Sequence, residues 1–181
     1  MAKKIAKKVT KKVTKKVVKK APATKASLLT VGDKAPAFVL EDQDGNKVAL
    51  QDFKGQNVVV YFYPKAMTPG CTVQACSLRD SQSQLSKENI VVLGISADAV
   101  KKLKQFEDKQ KLNFTLLSDP DHKVCEAYGT WALKKFMGRE YMGILRQSFL
   151  LDKKGKIIHI MDKVNTTTHH DDVLKVFKNQ K

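Results

Sequence analysis

Of the 181 residues, the three cysteines Cys71, Cys76 and Cys125 have side chains suited to covalent chemistry, and Cys71 has the most telling surroundings. It closes the stretch Pro64-Lys65-Ala66-Met67-Thr68-Pro69-Gly70-Cys71. Thr68 suits a helix N-cap and Pro69 suits the first helical position, which puts Cys71 in the first turn. There the free N–H groups and the helix dipole favour an anion, here a thiolate. The gain is large: a thiol of pKa ~8.5 is only ~3% ionised at pH 7, whereas one lowered to ~6 is ~90% ionised. The placement predicts a nucleophile.

Cys76 follows five residues later. On an intact helix that spacing means ~7.5 Å of rise and ~140° of rotation, with Cα atoms ~8–9 Å apart, beyond the ~7 Å reach of a disulfide. Cys76 is therefore either a plain core residue or a redox partner that Cys71 meets only when the helix between them unwinds. Cys125 reads as helix-core packing, with a further resolving or regulatory thiol as the alternative. An odd, small cysteine count fits a reducing compartment, not a secreted disulfide scaffold. No metal site is expected. His122-x-x-Cys125 lacks a second pair, and His159, His169 and His170 lack partners at ligand spacing. Asp42-x-Asp44-Gly45 lacks the remaining ligands of a calcium loop and reads as a hairpin turn. Neither a Walker A string nor Gly-x-Gly-x-x-Gly occurs, so no cofactor is expected.

The elements that must hold Cys71 can be read outward from it. Val58–Tyr63 before it is a continuous β-rich apolar run, as in a strand covered on both faces, and Val91–Ser96 is a second. Thr72–Lys87 between them has helical length, which makes a β-α-β unit with parallel strands. Phe38–Leu40 and Lys47–Leu50 flank Asp44-Gly45 as a hairpin. A helix is expected over Ala99–Leu112, a short strand at Phe114–Leu117, and a helix from Asp119 to about Tyr128. Then come a hairpin of Gln147–Leu151 with Lys156–Met161 and a closing helix at His169–Lys178. Arg146 begins the first strand of that hairpin, whereas Arg139 falls in a solvated loop and Arg79 is a structural group. The class is α/β, a mixed central sheet flanked by helices.

Residues 1–30 form a separate Lys-rich tail and linker, and 31–181 the domain. Residues 1–26 hold 11 lysines and no acid; without them 23 basic face 18 acidic residues, so the +16 net charge belongs mostly to the tail. Lys3–Lys20 repeats a four-residue unit that drifts ~40° per repeat around a helix, and its lysines repel one another. Alone it is expected to be disordered. It is either a solvated charge run or a salt-sensitive contact for nucleic acid or another polyanion, without base stacking, since no aromatic residue precedes Phe38. No apolar run reaches the ~20 residues of a membrane span, and neither a secretory nor a transit signal is expected. The expected location is the cytoplasm, with nucleoid or nuclear association through the tail as a variant.

Pro64-x-x-x-Thr68-x-x-Cys71 resembles the active-site signature of peroxiredoxins. The string from Tyr61 to Cys76 resembles their peroxiredoxin Q (bacterioferritin comigratory protein) branch. The similarity extends to Val31–Phe38, Leu117-Ser118-Asp119, Val124-Cys125 and Arg146-x-Ser148-Phe149-Leu150, and so spans about 31–181. It implies a thioredoxin-like fold and reduction of hydrogen peroxide and organic hydroperoxides. By that resemblance Cys71 is the peroxidatic cysteine, Cys76 the resolving cysteine, and Arg146 the arginine beside the thiolate. Thr68 would hydrogen-bond the peroxide, Pro64 would shield the pocket, and thioredoxin or a similar dithiol would recycle a monomeric enzyme. A disulfide reductase is disfavoured by the lack of Cys-x-x-Cys. A nucleic-acid-associated protein carrying the same domain is the other reading.

Overall fold

The strand β3 (Asn57–Phe62) is the spine of the molecule, and its alternation explains the rest. Val59 and Tyr61, with Tyr63 just beyond, face one side, while Val58, Val60 and Phe62 face the other. Both sides are buried, so the run is apolar throughout. The computed structural model describes residues 29–180. The Lys3–Lys20 repeat, with its expected disorder and nucleic-acid contact, lies outside the described residues.

Around β3 the chain adds β1 (Val39–Asp42), β2 (Lys47–Ala49), β4 (Ile90–Ser96), β5 (Thr115–Ser118), β8 (Gln147–Leu151) and β9 (Ile157–Met161). They make one mixed sheet in the order β2-β1-β5-β4-β3-β8-β9. β3 pairs in parallel with β4, and β4 with β5; the remaining ladders are antiparallel. The first hairpin turns where expected: Asp42 Oδ1 accepts from Asp44 N and Asn46 N at 2.9 and 2.8 Å, closing the turn.

The helices α1 (Pro69–Asp80), α2 (Gln82–Lys87), α3 (Val100–Gln110) and α5 (His169–Lys178) cover the Tyr61 face. They contribute Cys71, Ala75 and Leu78, then Leu85, then Leu103 and Phe106, then Val173, Leu174 and Phe177. The opposite face takes α4 (Lys123–Ala127), with Val124 and Cys125, and the following Tyr128. Between the parallel strands sit two helices, not one: the expected Thr72–Lys87 helix starts at Pro69 and breaks at Ser81 (φ −99°, ψ 5°), whose carbonyl accepts from Gln84 and Leu85 to restart the turn.

Residues 131–144 correct the sequence reading. They form an antiparallel ribbon of β6 (Trp131–Phe136) and β7 (Arg139–Ile144), apart from the main sheet. Met137 and Gly138, both at positive φ (47° and 78°), make its two-residue turn. Arg139 is thus the first residue of a strand, not of a loop, although it is exposed as expected. Among the described residues, no helix is long and apolar enough to cross a membrane.

Candidate active site

The site lies where the carboxyl end of β3 hands over to α1. The connecting loop is tied down by Asp98, which accepts from Ala66 N at 2.6 Å and from Ser96 Oγ at 3.1 Å. Pro64 sits half-buried in this loop, and Met67 turns it through a left-handed conformation (φ 63°). Helix α1 then begins with Thr68 at the N-cap and Pro69 first, as the sequence predicts. The Thr68 side chain departs from expectation. Its hydroxyl donates to Lys65 O at 2.9 Å and does not cap the helix. Pro69 has no N–H, Thr72 N bonds Thr68 O, and the N–H groups of Gly70 and Cys71 have no hydrogen-bond partner among the described residues. The positive end of α1 is thus open at the turn that carries Cys71.

Arg146 arrives from the other side of the spine. It sits one residue before β8, not within it. Because β8 runs antiparallel to β3 with Gln147 opposite Phe62, the residue before Gln147 emerges where β3 ends and α1 starts. Its Nη2 donates to Cys71 Sγ at 3.3 Å, and its Nη1 donates to Gln74 Oε1. A Cβ built on Gly70 would come 3.4 Å from the same Nη2, so the guanidinium is packed closely over the first turn. Cys71 itself is only 2% exposed.

Cys76 lies on the same unbroken helix, and all three cysteines are free. Cys71 packs into the core, whereas the half-buried Cys76 thiol donates to Gln110 Oε1 at 3.7 Å. Arg79 donates to Asp80 and to Gln110 O at the end of α3, a structural anchor as expected. Cys125 lies on the opposite face of the sheet, wholly buried. Burial, then the nearby Asp119 carboxylate, push its thiol well above the ordinary range. Among the described residues, no cluster of three or more His, Cys, Asp or Glu side chains could hold a metal.

Three residues that sequence reasoning passed over complete the cluster. Gln74 and His169 are wholly buried and joined, Gln74 Nε2 to His169 Nδ1 at 3.1 Å, and Ser148 Oγ lies 3.0 Å from His169 Nε2. Burial, then the charge of Arg146, then His170 lower the His169 pKa to about 4, so the imidazole is neutral. One signal was readable: Cys71, Gln74, Ala75 and Leu78 form a single buried helical stripe, and a polar amide on such a stripe needs partners.

A sequence model of the AhpC/TSA family matches residues 31–160. Peroxiredoxin Bcp of Escherichia coli is 59% identical over 150 residues, covering 83% of this chain and 96% of that protein. Peroxiredoxin Bcp of Bacillus subtilis is 44% identical over 150 residues, with the same coverage. Among solved structures, a cysteine mutant of Xylella fastidiosa PrxQ superposes with a TM-score of 0.80 at 30% identity, covering 85% of this chain and 98% of that one. The Xanthomonas campestris bacterioferritin comigratory protein, whose structures address alkyl peroxide reduction, gives 0.76 at 31% identity over 86% and 99%. With a thioredoxin-like fold and matches that run nearly the full length of these relatives, the chain belongs to the AhpC/TSA family, the peroxiredoxins, as a thiol-dependent peroxidase.

Proposed function

We propose that Cys71 is the peroxidatic nucleophile and Cys76 its resolving partner in an atypical two-cysteine cycle. The observation that carries this reading is the Arg146 guanidinium bonded to a nearly buried sulfur at the open N-terminus of α1. The Cys71 thiolate attacks one oxygen of a hydroperoxide. The S–O bond forms, the O–O bond breaks, and the departing alkoxide or hydroxide takes a proton to leave as alcohol or water. Arg146 acts on both charges, first on sulfur and then on the leaving oxygen. With its proton committed to Lys65 O, the Thr68 hydroxyl oxygen is left as an acceptor for the peroxide O–H. Pro64, half-buried at the loop, limits water around the reacting atoms.

The Cys76 thiolate then attacks the sulfenic sulfur of Cys71; the S–S bond forms, the S–O bond breaks, and the departing hydroxide takes a proton to leave as water. On intact α1 their Cα atoms stand ~8–9 Å apart, so the segment between them must unwind first. A dithiol protein of the thioredoxin kind reduces the bond by exchange and returns α1 to its helix. Hydrogen peroxide and alkyl hydroperoxides are both substrates, the latter in line with the activity named for the Xanthomonas campestris relative. Following peroxide consumption with thioredoxin recycling tests this. Wild type turns over, Cys71→Ser is inert, and Cys76→Ser stops after one equivalent; turnover by Cys71→Ser would overturn the assignment.

A further inference from the structure

The polar residues beside Cys71, all buried but the half-buried Arg146, form a closed ring: Cys71 to Arg146, Arg146 to Gln74, Gln74 to His169, His169 to Ser148, with Ser148 two residues from Arg146 on the chain. Hydrogen-bonding rules orient every member. A guanidinium only donates, so the Gln74 oxygen faces Arg146 and its amide nitrogen faces His169. His169 Nδ1 must then accept, and a neutral imidazole carries its one proton on Nε2, where Ser148 Oγ accepts it. The ring ties α1 to the start of β8 and the first turn of α5.

We propose that His169 is a positioning residue that acts through Gln74: it aims Arg146 at Cys71 and latches α1 in its folded form. Gln74 lies between Cys71 and Cys76. Unwinding that segment therefore withdraws the Gln74 side chain from both partners and leaves the buried His169 Nδ1 and the half-buried Arg146 Nη1 without the bonds they had. One hydrogen bond thereby sets two quantities with opposite consequences. It favours attack on peroxide by holding the guanidinium in place, and it slows resolution by opposing the unwinding that Cys76 needs. This rests on the Cys71–Cys76 cycle for its functional meaning, but the latch is measurable in the reduced protein without peroxide.

The variants are His169→Leu, which keeps bulk and loses both bonds, and His169→Asn, whose side-chain oxygen can still accept from Gln74. In reduced His169→Leu, amide exchange over residues 71–76 rises about tenfold, the loss of one buried hydrogen bond, while β3 and β4 keep their protection. Attack on peroxide slows and disulfide formation after oxidation quickens. His169→Asn restores both toward wild type. If His169→Leu fails to fold, Gln74→Glu replaces it. The carboxylate keeps Arg146 but cannot donate to Nδ1, so nitrogen NMR then finds a second proton on His169 at neutral pH, where wild type shows the Nε2–H tautomer alone. Exchange unchanged over 71–76, exchange raised evenly through the sheet, or an Nδ1–H tautomer in wild type would each overturn the proposal. A wild type that forms the latch but consumes no peroxide would instead refute the catalytic reading alone.

Discussion

Replacing Arg146 by methionine keeps much of the side chain's length and removes both of its donors. In the folded protein Nη2 sits 3.3 Å from Cys71 Sγ, and Nη1 satisfies the wholly buried Gln74 amide oxygen. A hydrogen bond to a charged group contributes about 1.5–3 kcal/mol. Charge moves from sulfur to the leaving oxygen during attack, and the same guanidinium serves both, so most of that contribution persists in the transition state. At about 1.4 kcal/mol per decade, the rate of attack falls roughly 10- to 100-fold. Arg146→Lys keeps the charge, but a single ammonium cannot span Cys71 and Gln74 as the planar fork does, so its loss is about tenfold. Competition for peroxide against a haem peroxidase gives the second-order rate constant, and alkylation of Cys71 by iodoacetamide gives a peroxide-independent check. An Arg146→Met enzyme within about threefold of wild type in both assays would refute the reasoning.

Gly94→Ala in β4 would place a methyl group 2.7 Å from the buried Tyr61 ring, so it lowers stability by about 1–3 kcal/mol, read as a fall in Tm; an unchanged Tm would contradict the packing. Tyr61→Phe removes a buried hydroxyl without a hydrogen-bond partner among the described residues, so Tm holds or rises, whereas a loss of over ~1 kcal/mol would show a partner. His169 is held neutral, with its pKa lowered from 6.5 to about 4. Below pH 6.5 the unfolded chain binds a proton that the folded one refuses. The stability is thus complete above pH 6.5 and falls by about 3 kcal/mol as pH drops to 4. Urea denaturation at pH 7 and pH 4.5 should show that loss in wild type and not in His169→Asn; equal slopes would refute it.

The elements with local signatures were legible in the sequence. Asp44-Gly45 marked the first hairpin, unbroken apolar runs marked β3 and β4, and Pro69 after Thr68 marked the start of α1. The β6–β7 ribbon was not, because its turn is Met137-Gly138 and methionine at positive φ carries no turn signal. The break at Ser81 has no glycine or proline to announce it. At the site, the same line separates what was read from what was missed. Cys71 and Thr68, three residues apart at a helix start, were marked by residue type, whereas Pro64 and Arg146 came from the resemblance. The partners of Gln74 lie 72 and 95 residues away, at Arg146 and His169. A search of His169 for metal partners at short spacing could not meet an amide on another helix. The Thr68 hydroxyl shows the converse: residue type located the cap position, but only the Lys65 carbonyl decides where the proton goes.

The most direct measurement is to add one equivalent of hydrogen peroxide to the fully reduced protein and map the peptides by mass spectrometry. A bond between Cys71 and Cys76, with Cys125 still a free thiol, is the predicted product. An unmodified Cys71, or a bond from it to Cys125 across the sheet, would contradict the account.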